Sequence, residues 1–176
     1  MREHLFTYLE QPSLETFMAL RQAALSSEGF DPYSSELDGI SALMEAGSWE
    51  QVIETISKSL FPNHLLSPGA HMSLGFAYHK LGREKESRFE QVVYTALLDG
   101  IKSTGAGTEE QPYHVTRTSD EYDLLMVEEL RPTQQALIKK DGRAYDVMTT
   151  ESGQKVWFDI TEIMTLLDRR LGIQPE

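Results

Sequence analysis

The chain has 176 residues, no cysteine and a formal net charge of −12. The missing cysteines exclude disulfide bonds, thiol catalysis and cysteine-ligated metal sites, and the acidic charge argues against nucleic acid or an anionic membrane as a partner, because it repels phosphate. No window approaches 18 apolar residues, and the first residues lack an apolar core of signal-peptide length, so we expect a cytoplasmic protein without a membrane span.

The first hundred residues are predicted to form helices joined by short turns. Ser13 is a natural N-cap, and apolar residues follow it at helical spacing as far as Leu25. A second helix is expected over residues 34–46, where the apolar side chains again fall on one face. Gly47 is suited to end it, because glycine readily adopts the left-handed conformation found after many helices.

Three further helices are predicted before residue 103. Ser48 and Gln51 have the spacing of a capping box and would begin the third helix. Pro68 occupies the first helical position of the fourth, where a proline is tolerated. Gly82 separates this helix from a fifth, which runs to about Ile101. Together these elements form a helical segment over residues 1–102.

Residues 103–112, with the sequence STGAGTEEQP, are predicted to be a connecting loop. We place the boundary between the helical segment and an α+β segment of residues 113–176 at this loop. The glycines invite comparison with phosphate-binding loops. However, the lysine of a P-loop is missing and the loop follows a helix, so we interpret it as a flexible or tightly turned connection between the segments.

The second segment begins with a short strand over residues 113–116 and a helix for which Thr118 and Glu121 form the capping box. Pro132 ends this helix. The acidic residues of its first turn have an electrostatic explanation, because the amino-terminal end of a helix dipole favours negative charge.

Three strand-like runs follow, over residues 136–140, 143–149 and 155–160. Asp141 and Gly142 form a strong two-residue hairpin signal, typical of a type I′ turn. Asp159 and Glu162 would cap a final helix. The order β-α-β-β-β-α therefore predicts an α+β fold, in which helical hairpins are followed by a small antiparallel β-meander flanked by helices.

The segment from His71 to Tyr78 resembles the first helix of a tetratricopeptide repeat, with Leu74 and Gly75 at the characteristic positions and His71 in place of the usual tryptophan. Gly47 and Gly82 are also separated by about one repeat length. This resemblance implies that the helical segment consists of repeat-like α-hairpins. Simple α-hairpins unrelated to these repeats are the alternative.

The whole chain also resembles an uncharacterised bacterial family, a domain of unknown function with tetratricopeptide-like helices. The residues that carry this resemblance are FDPY at 30–33, STGAGT at 103–108, DEYDLL at 120–125 and the segment 142–160. This sequence has Ala106 where the family tends to have an acidic residue. The resemblance implies a fold but no activity.

A partner-binding groove is one candidate site. If the repeat register is correct, the inward positions of the first helices are Met44, Met72, Phe76, His79 and Lys80. Methionine and aromatic side chains suit an adaptable peptide groove. Ordinary packing between helices is the alternative explanation for the same residues.

A site between the two segments is the other candidate, formed by Tyr113, His114, Tyr145, Asp146 and Trp157. Strand alternation would place Tyr145 and Asp146 on opposite faces of the sheet. Trp157 would be either buried between the segments or exposed as part of a binding surface. We favour a buried role for Asp146, in which it accepts hydrogen bonds at the junction of the segments beside Tyr145.

No metal or cofactor site is predicted, because the histidines do not have the spacing of convergent ligands and no catalytic serine motif is present. We therefore expect a non-enzymatic protein- or peptide-interaction module. An enzyme with a polar site between the segments and a purely structural or oligomerising protein are the two alternatives.

Overall fold

The computed structural model describes residues 1–172, which form eight α-helices and a four-stranded sheet, and the predicted α+β class is confirmed. None of the described helices has the length and apolar character needed to cross a bilayer. The helices of the first segment are α1 (Arg2–Glu10), α2 (Leu14–Leu25), α3 (Ile40–Glu45), α4 (Trp49–Ser59), α5 (Pro68–Lys80) and α6 (Glu84–Ser103). The later elements are β1 (Tyr113–His114), α7 (Ser119–Val127), β2 (Pro132–Lys140), β3 (Arg143–Thr150), β4 (Lys155–Asp159) and α8 (Thr161–Leu171).

The helix ends of the first segment follow local rules where a cap or a turn is required. Ser13 accepts a hydrogen bond from the backbone N–H of Thr16, and Ser67 accepts one from that of Ala70. Gly47 follows α3 with a φ of 68°, which glycine adopts without steric cost. The two serine side chains satisfy backbone amide groups that the first turns of the helices leave unpaired.

The predicted second helix is too long, and α1 was not predicted. Residues 34–39 form turns instead of a helix. Just before them, the Asp31 carboxylate accepts a hydrogen bond from the backbone N–H of Tyr33 at 2.9 Å. Such local hydrogen bonds stabilise a turn and compete with helix formation. Ser48 is also wrong as a side-chain cap, because it makes no cap hydrogen bond at the start of α4.

A small core lies between the helices α3, α4 and α5. Its buried side chains are Ile40, Val52, Ile56, Ala70, Leu74 and Ala77. Val52 and Ile56 lie one turn apart on α4, so one stripe of this helix packs against both neighbours. This packing holds α3 and α5 on either side of α4.

The sheet has the strand order β1-β4-β3-β2. Strands β2, β3 and β4 form the predicted antiparallel meander, and β1 adds a parallel strand, with Tyr113 opposite Phe158. Asp141 and Gly142 both have positive φ, 53° and 74°, as the predicted hairpin turn requires. Strand β2 begins at Pro132, so this proline opens a strand after the turn that ends α7.

Two predicted capping boxes in the second segment do not form. Thr118 makes no side-chain cap, and Glu121 is fully buried instead of reaching back to it. At the start of α8, Asp159 accepts a hydrogen bond from the backbone N–H of Thr161, but Glu162 pairs with the buried Arg21. Neither glutamate is therefore free to cap its own helix, because Glu121 is buried and Glu162 forms a long-range ion pair.

One hydrophobic core contains side chains from both segments. Phe17, Leu20 and Leu97 of the helical segment lie in the same cluster as Leu124 and Phe158 of the α+β segment. Arg21 adds a polar link, because its Nε donates to the carbonyl oxygen of Val115 at 3.1 Å. The two segments are therefore packed on each other.

Candidate functional site

A polar cleft of about 370 Å³ opens where α3, α5 and the start of α7 meet. Leu37, Ile40 and Ile56 form its apolar part. The other side chains that line it are polar or small: Ser34, Asp38, Ser41, His64, Ser67, Gly69, Ala70, Ser73, Arg117, Ser119 and Asp123. Its volume lies within the range of pockets that bind small molecules or single side chains.

Arg117 forms part of the cleft wall and holds the neighbouring backbone in place by hydrogen bonds. Its Nη1 donates to the carbonyl oxygens of Asp31 at 2.8 Å and Asn63 at 3.2 Å, and its Nη2 donates to that of Ser34 at 3.0 Å. Asp120, Asp31 and Glu36 provide neighbouring negative charge, while burial lowers the pKa of Arg117. Nη1 and Nη2 are thus occupied with backbone carbonyls, while the buried Nε has no hydrogen-bond partner among the described residues.

Asp123 brings a carboxylate to the first turn of α5. Its Oδ2 accepts a hydrogen bond from the backbone N–H of Gly69 at 2.8 Å. A side chain at position 69 would come within 2.9 Å of Oδ1, so glycine is required for this approach. Burial raises the pKa of Asp123, and the Gly69 hydrogen bond opposes that shift. Oδ1 has no hydrogen bond within the described residues.

His64 is almost completely buried, at 3% exposure, yet it lines the same cleft. Its Nδ1 lies 3.2 Å from the carbonyl oxygen of Ser59, which assigns the proton to Nδ1. Burial lowers the pKa of His64, and the positive charge of Arg117 lowers it further, so the ring is neutral at pH 7. Nε2 is then an acceptor, and it has no hydrogen bond in the part of the chain that the structure describes.

A second polar feature, the carboxyl pair of Glu121 and Asp146, lies buried between α7 and β3. Burial is the main reason why the pKa of Glu121 rises to about 9, and the negative charges of Asp146 and Asp120 add to it. Burial also raises the pKa of Asp146. No N–H or hydroxyl group of residues 1–172 donates to the Glu121 oxygens. The contact between the two acids therefore requires a shared proton, carried by Glu121.

The surroundings of the carboxyl pair come from several elements. Gln135 of β2 donates to Asp146 Oδ2 at 2.9 Å and accepts from the Tyr122 hydroxyl at 2.8 Å. Tyr33 lies near both acids, and their charges, after burial, raise the pKa of its hydroxyl. Both Glu121 oxygens are inaccessible to solvent, so the carboxyl pair belongs to the interior of the fold.

The predicted groove residues occupy the outer part of the α3–α5 face. Met72, Phe76, His79 and Lys80 are exposed on α5, whereas Met44 of α3 is half-buried against the core between these helices. The Phe76 ring lies edge-on to the Trp49 ring, with 5.5 Å between centroids, and Lys80 Nζ lies 5.0 Å from the Phe76 ring centre. An exposed aromatic patch thus continues the face that lines the cleft.

The predicted residues between the segments are not brought together. Tyr145 and Trp157 pack against each other on one face of the sheet, with 5.6 Å between ring centroids. Asp146 is on the opposite face, where Glu121 is its neighbour. Tyr113 packs beside Phe158, and His114 lies opposite Asp159. Tyr145 and Asp146 do not pair, because adjacent residues of a strand point to opposite faces. Asp146 is buried, but the side chain that donates to it, Gln135, belongs to the same segment.

Sequence reasoning missed His64, Arg117 and Asp123 as cleft residues and Glu121 as a core residue. One signal was available: Glu121 precedes Leu124 and Leu125 by three and four positions, which places its carboxyl on the apolar stripe of α7. No comparable signal marked the cleft, since its residues are distant in sequence and join only through packing.

The glycine loop has a steric explanation. A Cβ atom at Gly105 would lie 2.4 Å from the carbonyl oxygen of Pro112, and one at Gly107 would lie 2.5 Å from the Tyr113 ring. The loop therefore folds tightly on itself and on β1. Within residues 1–172, no group of three or more histidine, aspartate or glutamate side chains is arranged to hold a metal ion.

The fold is an α+β arrangement of helices and a small sheet, with a polar cleft between α3, α5 and the start of α7. The chain belongs to the family described as a domain of unknown function (DUF4919), whose model matches residues 24–169. Membership of an uncharacterised domain family, as the resemblance implied, is confirmed. Comparison with curated proteins and with solved structures gave no match.

Proposed function

We propose that the protein is a binding module that takes up a short segment of another protein along the α3–α5 face. In this proposal α3–α4 and α5–α6 are tetratricopeptide-type hairpins, and the inner helices of the two hairpins form the walls of the groove. Such repeats present extended concave surfaces that bind peptides. The short turns at Gly47 and Gly82 are consistent with this arrangement.

The observation that carries the proposal is the continuity of one face of α5. Gly69 and Ser73 line the cleft, and Met72, Phe76 and Lys80 follow Gly69 at spacings of three, seven and eleven positions. Residues at such spacings share one side of a helix. A bound segment would therefore meet polar groups at one end and an aromatic patch at the other.

Phe76 is the natural anchor of this face. It is 44% exposed, and Trp49 and Lys80 contact its ring from two sides. Exposed aromatic side chains supply much of the energy at protein interfaces, because they bury a large apolar area with little loss of conformational freedom. Tight contact of an apolar side chain with Phe76 would remove both surfaces from water.

A displayed library of random peptides, selected against the immobilised full-length protein, tests the proposal. We expect enrichment of sequences that share an apolar residue next to polar ones. Synthetic peptides of the enriched sequences should bind at least about tenfold more weakly to Phe76→Ala, which corresponds to a loss of about 1.4 kcal/mol. Affinity is measured by isothermal titration calorimetry.

Phe89→Ala is the matched control. Phe89 is also a phenylalanine on a helix, is 46% exposed and lies on α6, outside the proposed groove. Its replacement should leave the affinity unchanged. Peptides that bind Phe76→Ala as tightly as the unchanged protein, or that lose affinity equally for Phe89→Ala, would show that binding occurs elsewhere. A selection that enriches no sequence would contradict the proposed function itself.

A further inference from the structure

The acceptor groups of the polar cleft point to a specific ligand chemistry. Asp123 holds one carboxylate oxygen in a hydrogen bond with Gly69 and leaves the other without a partner. His64 has its donor nitrogen at the Ser59 carbonyl oxygen, so its remaining nitrogen is an acceptor. Both acceptors line the same cleft and have free capacity within the described residues, so a ligand with N–H donors would satisfy both.

We propose that the polar cleft binds an alkylammonium group, as a lysine side chain or the amino terminus of a polypeptide supplies. The ammonium would donate to Asp123 Oδ1 and to His64 Nε2. Its third N–H would find the hydroxyl groups of Ser73 and Ser119, which line the same cleft. An ammonium has three donors and no acceptor, which matches the free acceptor atoms of Asp123 and His64.

The charges around the cleft favour a cation. Asp38 and Asp123 are the acidic side chains among the residues that line it. Arg117 is the opposing charge in the wall. Its guanidinium donates to the carbonyl oxygens of Asp31, Ser34 and Asn63, and Asp120, Asp31 and Glu36 are near it. These groups offset part of its positive charge, which still lowers the pKa of His64.

The apolar part of the cleft suits the alkyl chain of such a ligand. Leu37, Ile40 and Ile56 contribute aliphatic surface beside the acceptors. Lysine stems pack along apolar surface while the charged end remains with polar groups. The proposal rests on the cleft alone, and it holds whether or not a peptide continues over Phe76.

Titration of the ¹⁵N-labelled full-length protein with n-butylammonium chloride tests the proposal, with n-butanol as the uncharged isostere. The Gly69 amide is the reporter, because it donates to Asp123. We expect a saturable shift of the Gly69 resonance with the ammonium and none with the alcohol. Nα-acetyl-lysine methylamide then represents a lysine side chain, and glycine methylamide represents an amino terminus. The compound that binds with the higher affinity identifies the source of the ammonium group.

Asp123→Asn should weaken ammonium binding by roughly tenfold to a hundredfold, as expected for losing a hydrogen bond to a charged acceptor. The asparagine oxygen can still accept from Gly69, so the fold should persist. Asp99→Asn is the control, because Asp99 is an exposed acid on α6. Equal shifts with butanol, unchanged binding by Asp123→Asn, or no saturable shift would overturn the proposal. Phe76→Ala should leave ammonium binding unchanged, so this result is independent of the peptide selection.

Discussion

Buried acids are the clearest example of single side chains whose chemistry depends on their surroundings. Asp120 has no exposed surface, and one of its oxygens accepts hydrogen bonds from the backbone N–H groups of Thr116 and Arg117 and from the Thr116 hydroxyl. Burial still raises the pKa of Asp120 to about 7. Desolvation therefore outweighs three favourable hydrogen bonds at this position.

Burial raises the pKa of Glu121 even more than that of Asp120, and this shift makes the stability of the fold depend on pH. Its pKa is about 9 in the folded chain, against 4.5 without the fold. Between these values the folded chain holds one proton more than the unfolded chain. The contribution of Glu121 to the free energy of unfolding therefore falls as the pH rises.

Glu121→Gln should remove this pH dependence. The glutamine amide can donate to Asp146 as the protonated acid does, without a proton to lose. We expect the variant to gain stability relative to the wild type by up to about 1.4 kcal/mol for each pH unit between about 4.5 and 9. Urea unfolding at several pH values measures it.

Glu50→Gln, at an exposed position of α4, is the control and should show no such gain. The difference in the free energy of unfolding between Glu121→Gln and the wild type should be larger at pH 8 than at pH 5. A smaller difference at pH 8 would contradict a shared proton between Glu121 and Asp146.

Turns and close helix contacts determine how the elements meet. The hairpin between β2 and β3 depends on two residues with positive φ, and Gly142 has open space around its Cα atom. Any effect of a side chain there must therefore come from backbone strain and not from a clash.

Gly142→Val should destabilise the protein by roughly 1–2 kcal/mol, because a β-branched residue resists positive φ. Gly142→Asn should lose much less, since asparagine tolerates this conformation. Thermal unfolding of both variants makes the comparison at one position. Equal melting temperatures for the two variants would show that the turn does not need positive φ.

The contact between α2 and α6 depends on Gly100. A Cβ atom at this position would lie 2.2 Å from the Phe17 ring, which is buried in the shared core. Alanine is favoured over glycine within a helix by about 1 kcal/mol. Overlap with a packed aromatic ring opposes this gain and costs more.

We expect Gly100→Ala to destabilise the protein by about 2 kcal/mol, measured by chemical unfolding. In a Phe17→Leu background the same change should cost at least about 1 kcal/mol less, because the smaller side chain leaves room. Additive effects of the two substitutions would show that the ring and the glycine do not meet.

We expect the molecule to unfold as one cooperative unit, because its two segments share a core. Leu97 of α6, Leu124 of α7 and Phe158 of β4 belong to one cluster, although they lie in different segments. Separation of the segments would expose this apolar surface to water, and neither segment has a comparable core of its own.

Fragments of residues 1–102 and 110–176 should therefore not fold alone. We expect each to lack a cooperative thermal transition when expressed separately, and we expect circular dichroism to show a transition only in the intact chain or in a mixture of the two. Two fragments that melt cooperatively and do not bind each other would show that the segments are independent domains.

Local sequence signals were sufficient for most elements of this chain. The Asp141–Gly142 hairpin, the N-caps at Ser13 and Ser67 and the glycine after α3 depend on the conformational preferences of a few neighbouring residues. The helix periodicity and strand alternation likewise predicted the α+β class, since each reflects which face of an element is buried.

The roles of the polar side chains depended on contacts distant in sequence. Asp123 meets Gly69 across 54 positions, and Arg117 reaches Ser34 across 83. Glu121 was predicted to cap its own helix, but its neighbour in the fold is Asp146 of β3. Desolvation and long-range hydrogen bonds arise only when the segments pack, so the sequence could indicate the helices and strands but not the cleft between them.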